Sequence, residues 1–112
     1  MKVSEEKKDQ VLILELKGKL DVGTSKDLED ILTGWIDRGE TRLVLDGAEL
    51  SYVSSSGLRV LLVAAKKLAA PAGKIVLCSL NERIKRIFDM TGFAGLFEVY
   101  DSRDAAVDRL RN

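Results

Sequence analysis

The sequence predicts an α/β domain: a mixed sheet of about four to five strands, opened by an antiparallel hairpin and continued as strand–helix units with about four helices. Three observations predict it. Short aliphatic runs, at residues 10–20, 42–45 and 74–78, have the length and composition of buried strands. Between them lie segments whose apolar residues recur every three or four positions, as on one face of a helix. Gly39, the Pro71-Ala72-Gly73 turn and Gly92 separate the segments at the expected places. Strands alternating with helices imply βαβ units and a largely parallel sheet.

Taken in order, residues 2–8 form a weak edge strand that pairs with residues 10–20 through a turn at Lys8-Asp9-Gln10. Leu28, Ile31, Leu32, Trp35 and Ile36 mark the first helix, with Thr24 or Ser25 as its N-cap and Gly39 as its stop. Residues 42–45 are the next strand, and 56–70 the second helix. That helix is apolar on nearly every side through Leu58, Val60, Leu61, Leu62, Val63, Ala64 and Ala65, so it is expected to be mostly buried, with only its N-terminus exposed. Residues 74–78 form a strand. Asn81 caps a helix built on Ile84, Ile87 and Phe88, which Gly92 ends. Residues 97–100 make a short last strand, and Asp101 or Ser102 opens a terminal helix through Leu110.

Composition narrows the function. At 112 residues the chain is expected to be one domain, 1–112, large enough for a core without staples. It is 46% hydrophobic and 32% charged, a globular balance. Lys plus Arg and Asp plus Glu each number 18, and a net charge of zero argues against direct nucleic-acid binding, which needs a concentrated basic surface. The run at 60–65 is too short for a membrane span, and the opening Met-Lys-Val-Ser-Glu-Glu has no apolar signal region, so a cytoplasmic protein is expected. With one cysteine and no histidine, the chain offers neither a disulfide nor a convincing metal-ligand set, and no metal or cofactor is expected. Cys78 and Trp35 sit at core positions. Phe88, Met90, Phe93 and Phe97 suit either core or an exposed patch, and Lys66-Lys67 a solvated face.

The strand at 42–45 and the second helix are joined by a segment ending in Ser54-Ser55-Ser56-Gly57. A helix N-terminus has unpaired N–H groups and the positive end of the helix dipole, both favourable to an anion. Catalysis is disfavoured: a serine nucleophile needs a neighbouring base, histidine is absent, and neither a Gly-x-Ser-x-Gly elbow nor a Gly-Lys-Ser/Thr phosphate loop is present. Ser54 or Ser55 caps the helix. One cap needs one serine, so the surplus hydroxyls leave a phosphate acceptor open beside plain capping.

Three segments, in order, resemble the STAS domains of bacterial anti-sigma-factor antagonists: Gly18-Lys19-Leu20-Asp21-Val22-Gly23-Thr24, the stretch from Leu45-Asp46-Gly47 through Ser54-Ser55-Ser56-Gly57-Leu58, and Ile84-Lys85-Arg86-Ile87-Phe88-Asp89-Met90-Thr91-Gly92. The resemblance covers nearly the whole chain and implies the STAS-like (SpoIIAA-like) mixed sheet. It implies partner switching: the domain binds an anti-sigma factor that is a serine kinase, a sigma factor is released, phosphorylation of one serine breaks the complex, and a serine phosphatase restores it. Aligned through Gly57-Leu58, the phosphorylated position is Ser55, and Ser54 stands where the family has Asp. The partner-binding face is expected to combine Ser54, Ser56, Gly57, Leu58 and Arg59 with Asp21, Gly23 and Thr24. No catalytic residue is implied. The alternative within the resemblance is a STAS interaction module of a stress-signalling assembly or a lipid-transport complex.

Overall fold

The structure, a computed structural model, describes residues 1–111. Its elements follow the order β1 (Lys2–Lys8), β2 (Val11–Leu20), α1 (Val22–Asp37), β3 (Arg42–Val53), α2 (Ser55–Ala69), β4 (Lys74–Cys78), α3 (Glu82–Met90), a 3-10 turn (Phe93–Gly95), β5 (Glu98–Tyr100) and α4 (Arg103–Arg111). One five-stranded sheet runs β1-β2-β3-β4-β5, with β1 antiparallel to β2 and every later pair parallel. The α/β class, hairpin and four helices are those the sequence predicts. The hairpin turns through Asp9 and Gln10 at φ +53° and +67°, the geometry that suits the twist of a two-residue connection.

Alternation along each strand divides the core. Leu12, Leu14, Leu16 and Leu20 of β2, with Leu43 and Leu45 of β3, pack beneath Leu28 and Leu32 of α1, Leu58, Leu61 and Leu68 of α2, and Ile84 and Phe88 of α3. The intervening residues, Val11, Ile13, Val44, Val76 and Cys78, face α4 through Ala106, Val107 and Leu110. Each fully buried leucine contributes about 1.5–3 kcal/mol relative to exposure. The three-helix face therefore supplies most of the apolar stabilisation. Phe88 and Phe97 are core residues meeting edge-on at 6.0 Å, with Phe93 stacked on Phe97 at 6.4 Å. Met90 lies outside on the surface. Trp35 is half-buried against the core, its ring covered by the Arg38 guanidinium at 5.1 Å.

Local boundaries differ from the sequence reading in places that shape the site. The third strand continues to Val53 rather than stopping at Leu45. Asp46-Gly47-Ala48 interrupts its apolar run, but the extension pairs with the long second half of β2, Lys17 with Glu49, Gly18 with Leu50, Lys19 with Tyr52 and Leu20 with Val53. The N-cap of α1 is Asp21, not Thr24 or Ser25: its carboxylate accepts the Thr24 N–H, and the Thr24 hydroxyl accepts the Asp21 N–H, a reciprocal capping box. The α2 helix runs 55–69 instead of 56–70, and β5 begins at Glu98 after a buried Phe97. For α4, the Ser102 hydroxyl accepts the Ala105 N–H at 3.1 Å.

Arg103, at the start of α4, joins three strands. It donates from Nε to Asp46 at 2.8 Å, from Nη2 to Glu15 at 2.7 Å and from Nη1 to Glu6 at 3.2 Å. The carboxyl of Glu98 on β5 is held down from 4.5 to about 2 by Lys74 of β4, then by the Tyr100 phenol and by Arg109 of α4. A depressed carboxyl stabilises the fold above its unfolded pKa, and that contribution is lost as pH falls. Thermal melting should therefore show an acid limb between about pH 4.5 and pH 2 that is shallower in Glu98→Gln. The effect is small because Glu98 is partly solvated. An unchanged limb would contradict this assignment. Among the described residues no helix is long and apolar enough to cross a membrane.

Candidate functional site at the carboxyl ends of β2 and β3

Parallel strands β2 and β3 end side by side, and each hands over to a helix through a cap. Leu20 links the two turns: its carbonyl accepts the Ser54 N–H at 2.8 Å. One residue earlier, the Lys19 carbonyl accepts the Thr24 hydroxyl at 2.8 Å. Ser25, buried beneath, donates its hydroxyl to the Asp21 carbonyl at 2.5 Å. The α1 and α2 N-termini are thus tied to one strand end.

The three serines occupy three different environments. Ser54, extended at φ −88° and ψ 171°, is the N-cap; its hydroxyl accepts the Gly57 N–H at 3.1 Å, and it is 9% exposed. Ser55 is the first helical residue and is exposed, while Ser56 is half-buried. Among the described residues no side-chain hydrogen bond occupies the Ser55 hydroxyl. The N–H groups of Ser55 and Ser56 belong to the set that a helix leaves without internal partners. Ser55 thus presents an accessible hydroxyl at the start of α2.

Gly57 is explained by packing. A Cβ on it would lie 2.6 Å from Leu20 Cγ, 2.8 Å from Leu20 Cδ2 and 3.2 Å from the Leu20 carbonyl oxygen. Only glycine lets the first turn of α2 close onto the end of β2. Leu58, expected at the partner face, is 3% exposed and packs in the core, because its helical position turns it to the sheet. Gly57 and Ser54 are buried likewise, so these three support the site rather than present surface. Arg59 and Gly23 are exposed; Asp21 and Thr24 are half-buried. The Asp21 carboxyl is held below its ordinary value, first by the Thr24 N–H and further by the Thr24 hydroxyl and Gly23 N–H, which keeps it ionised at neutral pH.

Sequence reasoning passed over two residues of this edge. Val22, the first residue of α1, is 74% exposed, and Tyr52, two residues before the Ser54 cap, is 43% exposed. Val22 had a readable signal: nothing in a helix start asks for an exposed aliphatic directly behind its cap. Tyr52 had none, because it lies in the half of β3 that does not read as a strand.

The family model for the STAS domain matches residues 2–106. The chain belongs to the STAS domain family. Its relatives place it among the anti-sigma-factor antagonists. It is 42% identical over 106 residues to BtrV of Bordetella bronchiseptica, a protein assigned as an anti-sigma factor antagonist, covering 95% of this chain and 91% of that one. To an anti-sigma F factor antagonist of Paenibacillus polymyxa it is 32% identical over 101 residues, 89% of this chain and 86% of the relative. Two solved structures share the STAS fold with it. One is from Thermotoga maritima, with a TM-score of 0.92 at 20% identity over 98% of this chain and 95% of the other. The other is the Bacillus cell fate determinant SpoIIAA in its phosphorylated form, with a TM-score of 0.77 at 23% identity over 98% of this chain and 100% of the other.

Proposed function

We propose that this STAS domain is a phosphorylation-switched anti-sigma-factor antagonist working in the cytoplasm. It binds an anti-sigma factor that is a serine kinase and so frees a sigma factor. Phosphorylation of Ser55 by that kinase ends the complex, and a serine phosphatase returns the domain to its active form. The observation that carries this reading is the division of labour among the serines: Ser54 is buried and committed to the cap, whereas Ser55 beside it is exposed. Ser54 in place of the family's Asp keeps the capping role, since its hydroxyl accepts the same kind of N–H that a carboxylate would. Asp21, Gly23, Ser56 and Arg59 provide contact; Thr24, Ser54, Gly57 and Leu58 hold the shape.

The physics of the switch is local. A phosphate adds about −1.5 to −2 charges. Beside a helix N-terminus it is tolerated within the domain, gaining about 0.3–1 kcal/mol from the dipole. Within an interface, a desolvated or like-charged dianion costs several kcal/mol, and every ~1.4 kcal/mol is tenfold in affinity. The complex is therefore lost while the fold is kept.

The test combines the ATP-loaded anti-sigma kinase of the source genome with phosphosite mapping by mass spectrometry. Phosphate is expected on Ser55. Ser55→Asp should weaken kinase binding by about a hundredfold, equivalent to ~2.7 kcal/mol, with the melting temperature nearly unchanged. Ser55→Ala should bind as the parent does and resist release by ATP. Absence of phosphate at Ser55 together with absence of binding would sink the reading. Unfolding of Ser55→Asp would make the serine structural.

A further inference from the structure

The geometry points to Val22 and Tyr52 as the apolar anchors by which the partner is selected, an inference that rests on the antagonist reading above. Both lie within two residues of the Leu20–Ser54 hydrogen bond that joins the two caps. They are two of the five large hydrophobic side chains exposed on the described surface. The other three, Met90, Leu96 and Val99, sit at the end of α3, just after the 3-10 turn and on β5, none of them on β2, β3 or the caps that follow them.

Local structure explains neither exposed side chain. The first turn of a helix favours acidic residues; α3 and α4 carry Glu82 and Asp104 there, and α1 and α2 carry none. Val22 takes the corresponding place in α1 without burying its side chain. Tyr52 pairs across the sheet with Lys19, in the part of β3 that continues beyond the end of β4. Aromatic residues with a dry ring and a wet phenol are enriched among binding hot spots.

Charge at this edge indicates the partner's chemistry. Among the described residues neither Asp21 nor Arg59 enters an ion pair, although most neighbouring elements pair their charges. Asp21 is nonetheless held ionised, with one carboxylate oxygen given to Thr24. The two caps are thus flanked by two exposed apolar groups, the Asp21 anion, and two cations outside any ion pair among the described residues, Arg59 on α2 and Lys19 opposite Tyr52. The complementary kinase surface offers an apolar depression for Val22 and Tyr52, a lysine or arginine facing Asp21 and a carboxylate facing Arg59. Phosphorylation places its charge among these contacts.

The decisive variant is Val22→Asp, which removes the aliphatic group and adds the acidic residue that a helix start prefers, so it does not weaken the fold. Binding of the ADP-loaded anti-sigma kinase from the source genome should fall about thirtyfold or more for Val22→Asp. For Tyr52→Thr, which keeps a strand-favouring residue, the loss should be about tenfold. Met90→Asp, on the remote patch, should bind as the parent does. With the kinase as enzyme, the first two variants should raise the KM for Ser55 phosphorylation more than they lower kcat. Parental binding by both Val22→Asp and Tyr52→Thr overturns the inference and leaves the antagonist reading standing. Failure of the parent chain to bind overturns both. Dissociation of a dimer of this chain by Val22→Asp, with kinase affinity unchanged, makes the edge a self-interface and also overturns it.

Discussion

Gly57→Ala should destabilise the domain by about 1–3 kcal/mol, the cost of overpacking a filled site. For a chain of this size that is a fall in melting temperature of roughly 4–12 °C. The new methyl would meet Leu20 Cγ at 2.6 Å, and Leu20 has no exposed surface into which to swing. Relief must come from α2 moving off the sheet. That movement stretches the 2.8 Å bond from the Ser54 N–H to the Leu20 carbonyl and separates the two caps. Kinase binding should therefore fall together with stability, in contrast to Ser55→Asp, which affects binding alone. A double-mutant cycle with Leu20→Ala isolates the contact: once the leucine branch is gone, the added methyl should cost at least 0.5 kcal/mol less. Additive behaviour in denaturant unfolding would show that the clash is absorbed elsewhere.

The same region shows where sequence reading succeeds and where it stops. Residues 74–78 were legible as a strand to the residue, because an aliphatic run buried on both faces leaves no competing pattern. A serine cap at 54 or 55 was legible from spacing, since a small hydroxyl residue before an apolar helical run has one favoured use, and the structure places it at Ser54. The second half of β3 was not. Its strand character comes from register against β2 across more than thirty residues of sequence, and Asp46 and Gly47 carry no β preference of their own. The Asp21 cap was hidden by competition: Asp21, Thr24 and Ser25 can each cap, and only the paired bonds of the capping box decide among them. Exposure at Leu58 was reversed between expectation and structure for one reason. The side of a helix that a residue faces is set by packing against the sheet, whereas its place near a motif is all that the sequence displays.

Arg103→Met should be the most damaging change on the opposite face of the sheet, although position 103 stands far from the serines in sequence and carries no motif. Asp46, Glu15 and Glu6 come from three adjacent strands and converge on one guanidinium. Asp46 is nearly sealed, with 6% of its side chain exposed. Without Arg103, its carboxylate is left desolvated beside Glu15, its register partner on β2. Removing one member of a buried pair costs about 3–5 kcal/mol; solvent around Arg103 and Glu15 reduces this to about 2–3 kcal/mol. Asp46→Asn should cost less, because the guanidinium left behind keeps Glu15, Glu6 and water. Arg103→Lys should fall between, since a single ammonium cannot reproduce the fork. The reporter is Cys78, buried under α4, with its thiol pushed up to about 11 by burial first and by the Asp46 charge second. If Arg103 pins α4 to the sheet, Arg103→Met should speed labelling of this sole cysteine by a disulfide reagent at least tenfold, with far-ultraviolet circular dichroism retained. Equal losses of stability in Arg103→Met and Asp46→Asn, with labelling unchanged in both, would mean that Ala106, Val107 and Leu110 alone hold the helix in place.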